Sequence, residues 1–192
     1  MPIFYILADL TVVCFFVMEQ FLRFDKAAKK VTKTKYEKGS TDWTGAAIVI
    51  SSLLVFLSPL PNHFKFLNFN PKLLAGIIGL VLAVGGIAVR TVGMRTLGRF
   101  YTRTLQEKDG HQLVTDGIYR VIRHPGYAGT VLIFIGAGLV GGNLLFFILI
   151  TALILIIYLY RIHVEEQMLV RIFGDEYRLY QKRSKRIVPY IF

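Results

Sequence analysis

The sequence has very little cysteine: Cys14 is the only one, and it lies inside an apolar run. A single cysteine excludes an internal disulfide, and no group of Cys and His residues has the spacing of a metal site. We therefore expect Cys14 to pack in the core or against lipid, and we expect no metal in the functional site.

The sequence also lacks the motifs that mark several soluble enzyme classes. No GxGxxG follows a predicted strand, and neither GxSxG nor HExxH occurs. No Ser or Cys stands beside the polar segments where it could serve as an activated nucleophile. Any cofactor would therefore bind in a pocket formed by loops and helix ends.

Acidic residues are scarce, since 12 Asp and Glu against 23 Lys and Arg give a net charge of +11. Hydrophobic residues make up 54% of the chain, above the roughly 45–50% of soluble domains. They occur in long uninterrupted runs, which is typical of membrane proteins. The first run has no basic region before it and no A-x-A cleavage site, so we expect a retained membrane helix and not a signal peptide.

Five apolar runs are candidate membrane spans, and they cover residues 3–22, 43–60, 73–94, 127–140 and 144–160. A spanning helix needs about 20 residues, and the fourth run is the only one clearly shorter. We predict that the fourth and fifth runs form a helical hairpin that turns at Gly141–Asn143. Gly138 and Gly142 have GxxxG spacing, which favours either close helix contact or a simple turn.

Basic residues alternate with these runs along the chain. Seven Lys and Arg lie in residues 23–42, two in 60–73, seven in 90–123, none near Gly141 and seven from Arg161 onward. This pattern predicts an outside N-terminus and a cytoplasmic C-terminus. Because topology accounts for the charge, we expect membrane lipids and no nucleic acid as partners of the basic segments.

These features predict an all-α integral membrane helical bundle of five transmembrane helices, with a cofactor pocket at its cytoplasmic face. No repeat or linker divides the chain, so we expect one domain over residues 1–192. Residues 1–95 would supply three N-terminal spans. Residues 96–192 would supply the cofactor-binding loop, the helical hairpin and a C-terminal helix.

A first polar segment precedes the fourth run and contains Gln106, His111, Asp116, Tyr119, Arg120, Arg123, His124 and Tyr127. Pro125 should hold His124 out of helical geometry and start the next helix at its first turn. Backbone amides beside His124 would then favour an anionic group. Arg120 and Arg123 could equally be interfacial anchors that reach lipid headgroups.

A second polar segment follows the charge-free fifth run. Arg161 and Glu165 are four residues apart and share a helix face, with Glu166 adjacent. As a surface ion pair they would contribute only about 0.3–0.5 kcal/mol. Because they lie where the membrane run ends, we favour a functional role. The following FGDEY sequence should break the helix at Gly174, and the basic tail after it should contact headgroups.

Together these segments resemble the isoprenylcysteine carboxyl methyltransferase family. The resemblance rests on HQLVTDGIYRVIRHPGYAG and YRIHVEEQMLVRIFGDEYRLY, both in the C-terminal half. They contain G-x-Y-x-x-x-R-H-P-x-Y-x-G, R-x-x-x-E-E and F-G-x-E-Y in that order. The N-terminal spans carry no diagnostic motif, and the short chain is similar to a prokaryotic, minimal member.

The resemblance implies S-adenosylmethionine as cofactor and S-adenosylhomocysteine as its product. It implies that Arg161 is the catalytic residue and binds the substrate carboxylate. It implies cofactor contacts for Gln106, His111, Gln112, Leu113, Val114, Tyr119, His124, Pro125, Gly126, Tyr127 and Glu165.

The implied reaction is methyl transfer to the carboxylate of a lipid-linked substrate, with a prenylated C-terminal cysteine as partner and a methyl ester as product. A carboxylate is already ionised at pH 7, so no general base is needed. The enzyme must desolvate and aim it, and an arginine can do so by charge-assisted hydrogen bonds. The implied location is a prokaryotic cell membrane or the ER membrane, with the site facing the cytoplasm.

Three alternatives stay open at this point. A phospholipid-type N-methyltransferase would use the same cofactor on an amine. An NADPH-dependent membrane reductase is suggested because sterol reductases share H-P-x-Y-x-G and a tail like KRIVPYIF. A scaffold that only binds headgroups predicts that Tyr119, His124 and Glu165 tolerate alanine.

Overall fold

The structure is a computed structural model that describes residues 2–21, 39–60, 67–68, 72–98 and 113–192. Every regular element in those ranges is a helix, which confirms the predicted all-α class. The helices are α1 (Pro2–Phe21), α2 (Ser40–Leu57), α3 (Lys72–Leu97), α4 (Pro125–Val140), α5 (Leu144–Phe173) and α6 (Asp175–Arg183), and a 3₁₀ turn at Gly117–Arg120 precedes α4.

Helices α1, α2, α3 and α5 are long and apolar enough to cross a membrane. Large apolar side chains stay exposed along them, among them Ile6 at 64%, Val81 at 66% and Ile156 at 65%. Such extensive exposed apolar surface is incompatible with water and suits lipid. The chain is therefore a multi-pass membrane protein, and four of the predicted spans are confirmed in length and composition.

Helix α4 corresponds to the fourth predicted span and has 16 residues. At 1.5 Å per residue it is about 24 Å long, shorter than a hydrocarbon core of about 30 Å. Most of its residues are buried, because it packs against α1, α3 and α5. A helix enclosed by protein has no need to match the thickness of the lipid, and its crossing of the bilayer stays a prediction.

Glycines bring the backbones of α3 and α4 into direct contact. A Cβ on Gly86 of α3 would lie 2.6 Å from the carbonyl oxygen of Gly129 on α4. Nearer the start of α3, a Cβ on Gly79 would lie 2.6 Å from the carbonyl oxygen of Gly136 on α4. These four positions form the α3–α4 glycine contact. Small residues of this kind allow close helix approach inside membranes.

The predicted turn between the fourth and fifth runs is confirmed, and the structure favours the turn over a GxxxG helix contact. A Cβ on Gly138 would meet its nearest atom, in Phe147, at an ordinary 3.4 Å. Gly142 has φ +73°, the left-handed conformation that glycine adopts without strain. The chain reverses there between α4 and α5.

Asn143 closes this end of the bundle. Its Oδ1 accepts hydrogen bonds from two backbone N–H groups in the first turn of α5. Its Nδ2 donates to Oδ1 of Asn68 at 3.2 Å, and the N–H of Leu144 donates to the carbonyl of Leu67 at 2.7 Å. These contacts, the Asn68–Asn143 link, tie the segment between α2 and α3 to the α4–α5 turn.

At the other end the chain returns to the start of α4. Gly174, with φ +57°, ends α5 as predicted, and α6 follows at once. After α6, the carbonyl of Lys185 accepts a hydrogen bond from the N–H of Arg123 at 2.7 Å. The carbonyl of Arg186 accepts one from the N–H of His124 at 3.0 Å. The basic tail is therefore docked on the protein and is more than a headgroup-contacting segment.

Candidate functional site

Polar side chains meet where the start of α4 faces the second half of α5. We call this set the polar cluster, and it consists of Arg123, His124, Tyr127, Arg161, Glu165 and Glu166. His124 is the N-cap of α4 with non-helical dihedral angles, and Pro125 is the first helical residue. Both were predicted, since proline disfavours helical geometry in the residue before it and suits the first turn.

The His124 ring is held between two neighbouring carboxylates of α5. Only 3% of its side chain is exposed. Its Nδ1 lies 3.8 Å from Oε2 of Glu165, and its Nε2 lies 3.4 Å from Oε1 of Glu166. The ring also stacks on Tyr127, with centroids 5.5 Å apart and planes 7° apart. The orientation of His124 is therefore set by α5 on its edges and by Tyr127 on its face.

Arg161 is buried at the point where the charge-free run of α5 ends, and it is only 4% exposed. Its Nε donates to the hydroxyl of Tyr127 at 2.9 Å, and its Nη1 donates to the hydroxyl of Thr41 on α2 at 3.1 Å. The guanidinium also lies over the Tyr127 ring, 5.6 Å from its centroid. Arg161 is thus not half of a solvated surface ion pair with Glu165.

The two adjacent glutamates have different surroundings. Glu166 is buried, and it accepts hydrogen bonds from Nε of Arg123 at 2.8 Å and Nε of Arg186 at 3.1 Å. Glu165 is partly exposed, yet its Oε2 is buried and has no hydrogen-bond partner among the described residues. A buried acceptor without a donor is costly. Glu165 is therefore the carboxylate suited to a ligand, whereas Glu166 is engaged by the protein.

The interfacial-anchor hypothesis is wrong for Arg123. Its side chain is 8% exposed and is bonded to Glu166. Its Nη1 also donates to the backbone carbonyls of Gln181 and Ser184. Arg120 is exposed on the 3₁₀ turn, as an anchor should be. Of the two arginines in this segment, Arg123 therefore makes contacts inside the protein and Arg120 lies at the surface.

Tyr119 is buried beside the cluster, and its hydroxyl donates to the carbonyl of Gly93 in α3 at 3.3 Å. Its own carbonyl accepts a hydrogen bond from the hydroxyl of Tyr180 in α6 at 2.6 Å. Burial raises the pKa of Tyr180 to about 12. This phenol therefore stays protonated at neutral pH and keeps donating to the Tyr119 carbonyl.

Only some of the predicted cofactor contacts that precede the 3₁₀ turn are among the described residues. Leu113 and Val114 are partly buried and have no regular secondary structure. Gln106, His111 and Gln112 lie outside the described residues. The structure therefore brings His124 and Tyr127 together with Arg161 and Glu165, and it places Tyr119 on the preceding 3₁₀ turn. The placement of Gln106, His111 and Gln112 stays a prediction.

Sequence reasoning missed a buried ion pair beneath the start of α4. Arg90 in α3 donates through Nε to Oε1 of Glu19 in α1 at 2.6 Å. Its Nη1 donates to the carbonyl of Gly126 and the hydroxyl of Thr130, both at 2.7 Å. Arg90, which the charge pattern groups with a cytoplasmic loop, lies inside α3. One signal was available: a Glu and an Arg inside apolar runs usually face the bundle interior, although this does not show that the two side chains meet each other.

We expect each single change, Glu19→Leu or Arg90→Leu, to lower the free energy of unfolding by about 3 kcal/mol, because it leaves a buried charge without its counter-ion. The double variant should lose less than the sum of the two single changes. Equilibrium unfolding in mixed detergent micelles measures all three values. Additive losses would contradict direct coupling between the two side chains.

The fold and this cluster define a multi-pass membrane protein with a charged site at one end of its bundle, built mainly by the start of α4 and the second half of α5. The family model described as phospholipid methyltransferase matches residues 74–176, which is more than half of the chain and contains both α4 and α5. The chain belongs to the phospholipid methyltransferase family.

Curated proteins similar to this chain include methyltransferases. A probable protein-S-isoprenylcysteine O-methyltransferase of Oryza sativa subsp. indica is 29% identical over 145 residues, covering 74% of this chain and 76% of that protein. The protein-S-isoprenylcysteine O-methyltransferase of Schizosaccharomyces pombe (strain 972 / ATCC 24843) is 33% identical over 108 residues, covering 55% of this chain and 46% of that protein.

Solved structures with a similar fold include a methyltransferase. It is the eukaryotic intramembrane Ras methyltransferase, isoprenylcysteine carboxyl methyltransferase, with a TM-score of 0.66 and 25% sequence identity. The match covers 92% of this chain and 61% of that chain, so this chain spans less than two thirds of its length. These similarities confirm the resemblance carried by the two polar segments, and they favour a methyltransferase over a reductase or a scaffold.

Proposed function

We propose that this protein transfers a methyl group from S-adenosylmethionine to the carboxylate of a lipid-linked S-isoprenylcysteine and forms a methyl ester. The observation that carries the proposal is the surroundings of Arg161: a buried guanidinium, bonded to neutral hydroxyls, at the end of a charge-free membrane helix. The names of the similar proteins support this substrate class.

The described residues fit the proposed cofactor. The unpartnered Oε2 of Glu165 can accept a hydrogen bond from an amino group or a ribose hydroxyl. The N-terminus of α4 favours an anionic group such as the carboxylate of an amino acid. When it is bound, S-adenosylmethionine supplies an electrophilic methyl group on a sulfonium. The proposed contacts are Leu113, Val114, Tyr119, His124, Pro125, Gly126, Tyr127 and Glu165, together with Gln106, His111 and Gln112.

Arg161 would bind and aim the substrate carboxylate. Guanidinium forms stronger hydrogen bonds to a carboxylate than to neutral hydroxyls. A substrate that displaces one of the hydroxyl partners therefore gains a charge-assisted bond. Burial of Arg161 excludes water from that bond and strengthens it. An ionised carboxylate has no proton to lose before it attacks the methyl group. The proposed reaction therefore needs no general base.

We also propose the arrangement in the membrane. The charge-free run 144–160 of α5 is about 25 Å long, and Arg161 follows it directly. A lipid tail lying along α5 would place its polar end at this level. The basic segments on the same side support a cytoplasmic site and five crossings with an outside N-terminus. We also propose that residues 1–192 form one domain.

A second candidate is suggested by the family description, which covers methylation of phospholipids. An amine acceptor would carry a positive charge until it is deprotonated. The buried guanidinium of Arg161 can donate charge-assisted hydrogen bonds to a carboxylate, whereas a protonated amine has no acceptor for them. The surroundings of Arg161 therefore favour the carboxyl substrate over the amine.

The proposal is tested with purified protein in lipid nanodiscs, methyl-labelled S-adenosylmethionine and N-acetyl-S-farnesylcysteine. We expect label in a product that releases methanol in alkali, as an ester does. Label that resists alkali and appears in phosphatidylethanolamine would select the N-methyltransferase instead. If the protein binds the cofactor and labels neither acceptor, the proposed substrate is wrong. Calorimetry with NADPH provides the negative control for a reductase.

A further inference from the structure

A series of charged contacts leads from the docked tail to the ring of His124. Arg186 is 39% exposed at its side chain, and its Nε lies 3.1 Å from Oε2 of Glu166. The other oxygen of Glu166, Oε1, lies 3.4 Å from Nε2 of His124 and 2.8 Å from Nε of Arg123. One carboxylate therefore connects a surface residue of the tail to the N-cap of α4.

The backbone holds the two partners of this contact in register. The N–H of Lys185 donates to the carbonyl of Val121 at 3.0 Å, in addition to the bonds from Arg123 and His124 to the tail. Ile122 and Lys185 thus form a short parallel bridge. Since main-chain bonds fix the position of the tail, the Arg186 side chain can act on Glu166 without a change in the path of the chain.

The balance of charge at Glu166 determines where its carboxylate points. Its side chain is 7% exposed, so it depends on protein donors and not on water. Arg186 holds Oε2 on the tail side, which leaves Oε1 for Arg123 and His124. If Arg186 is removed, the carboxylate is free to turn toward Arg123, and His124 loses its Nε2 partner. The position of the ring, and of Tyr127 stacked on it, then becomes less defined.

We propose that Glu166 is a positioning residue for His124 and that Arg186, outside the polar cluster, sets the orientation of Glu166. Cofactor affinity then depends on a residue of the tail that does not touch the cofactor. This inference rests on the proposed function, because His124 and Tyr127 are proposed cofactor contacts. It separates the two adjacent glutamates: Glu165 contacts the cofactor, and Glu166 acts through His124.

The test is a double-variant cycle read out as the Kd for S-adenosylmethionine by calorimetry. We expect Arg186→Ala to raise the Kd about fivefold and Glu166→Gln to raise it about 20-fold, as expected for loss of charge-assisted hydrogen bonds. Because both changes act through the same contact, the double variant should match Glu166→Gln within about twofold. The control is Arg183→Ala, which removes an exposed charge from the end of α6 and should leave the Kd unchanged.

Two further measurements separate positioning from a general loss of structure. Thermal unfolding in detergent should show Arg186→Ala within a few degrees of the parent, and Arg186→Lys should recover part of the affinity. The KM for the farnesylcysteine analogue should rise less than the cofactor Kd, because Arg161 keeps its bond to Thr41 when Tyr127 is less well positioned. Multiplicative effects in the double variant, or an unchanged Kd in Arg186→Ala, would overturn the inference. A parent protein that binds no S-adenosylmethionine would instead overturn the proposed function.

Discussion

Replacing Arg161 by alanine should lower kcat/KM for a farnesylated carboxylate at least about 100-fold, a loss of roughly 3 kcal/mol in transition-state stabilisation. The Kd for S-adenosylmethionine should change less than about threefold. The reason is that Arg161 is buried, so its bond to an incoming carboxylate forms away from water and is strong. Initial-rate kinetics and calorimetry on the same preparation measure the two quantities.

Matched variants make this result specific. Arg171→Ala removes an exposed arginine from the same helix and should leave both constants near those of the parent. Arg161→Lys keeps the charge but not the planar fork of donors, so it should recover only a fraction of the activity. Equal losses of cofactor binding and substrate use in Arg161→Ala would remove the assigned role. Circular dichroism of the purified variant checks that it still folds.

The second large effect is expected in the α3–α4 glycine contact. Gly86→Ala would bring a methyl group to 2.6 Å from the carbonyl oxygen of Gly129 and 2.8 Å from the backbone N of Ile133. Both neighbours are backbone atoms, so the helices must separate. We expect the free energy of unfolding to fall by about 2–3 kcal/mol. Titration with a denaturing detergent, followed by circular dichroism, measures the loss.

The adjacent residue provides the control for this prediction. A Cβ on Gly85 would meet no atom within 4 Å. Gly85→Ala should therefore be neutral or stabilise the helix, since alanine is favoured over glycine by up to about 1 kcal/mol. Equal free energies of unfolding for the two variants would contradict the prediction, because close packing between α3 and α4 would then not limit stability. Because α4 carries His124 at its first turn, Gly86→Ala should also weaken cofactor binding, whereas Gly85→Ala should not.

Local chemistry explains the features that were predicted correctly from the sequence. Pro125 starts α4, Gly142 and Asn143 make the turn before α5, and Gly174 ends α5. Each of these depends on the conformational preference of one residue and its immediate neighbours. The four long spans were likewise visible, because they depend only on the length and composition of a run.

The features that could not be predicted depend on how helices are rotated against each other. Glu19 and Arg90 are 71 positions apart, and their contact exists only because both helices turn these residues toward α4. The pairing of Arg123 with Glu166, 43 positions apart, is of the same kind. The hydropathy of a run indicates that the helix is buried or in lipid. It does not indicate which face of that helix packs against which neighbouring helix.

The Asn68–Asn143 link gives the two ends of the bundle different sensitivity to solution conditions. Amide side chains and backbone groups form this link between described residues, and neither kind of group titrates in the physiological range. Salt has little effect on such neutral contacts. The opposite end depends on carboxylates, guanidiniums and an imidazole. Under the proposed topology, the charged contacts of the polar cluster are exposed to conditions in the cytoplasm, whereas the Asn68–Asn143 link on the other side does not depend on charge.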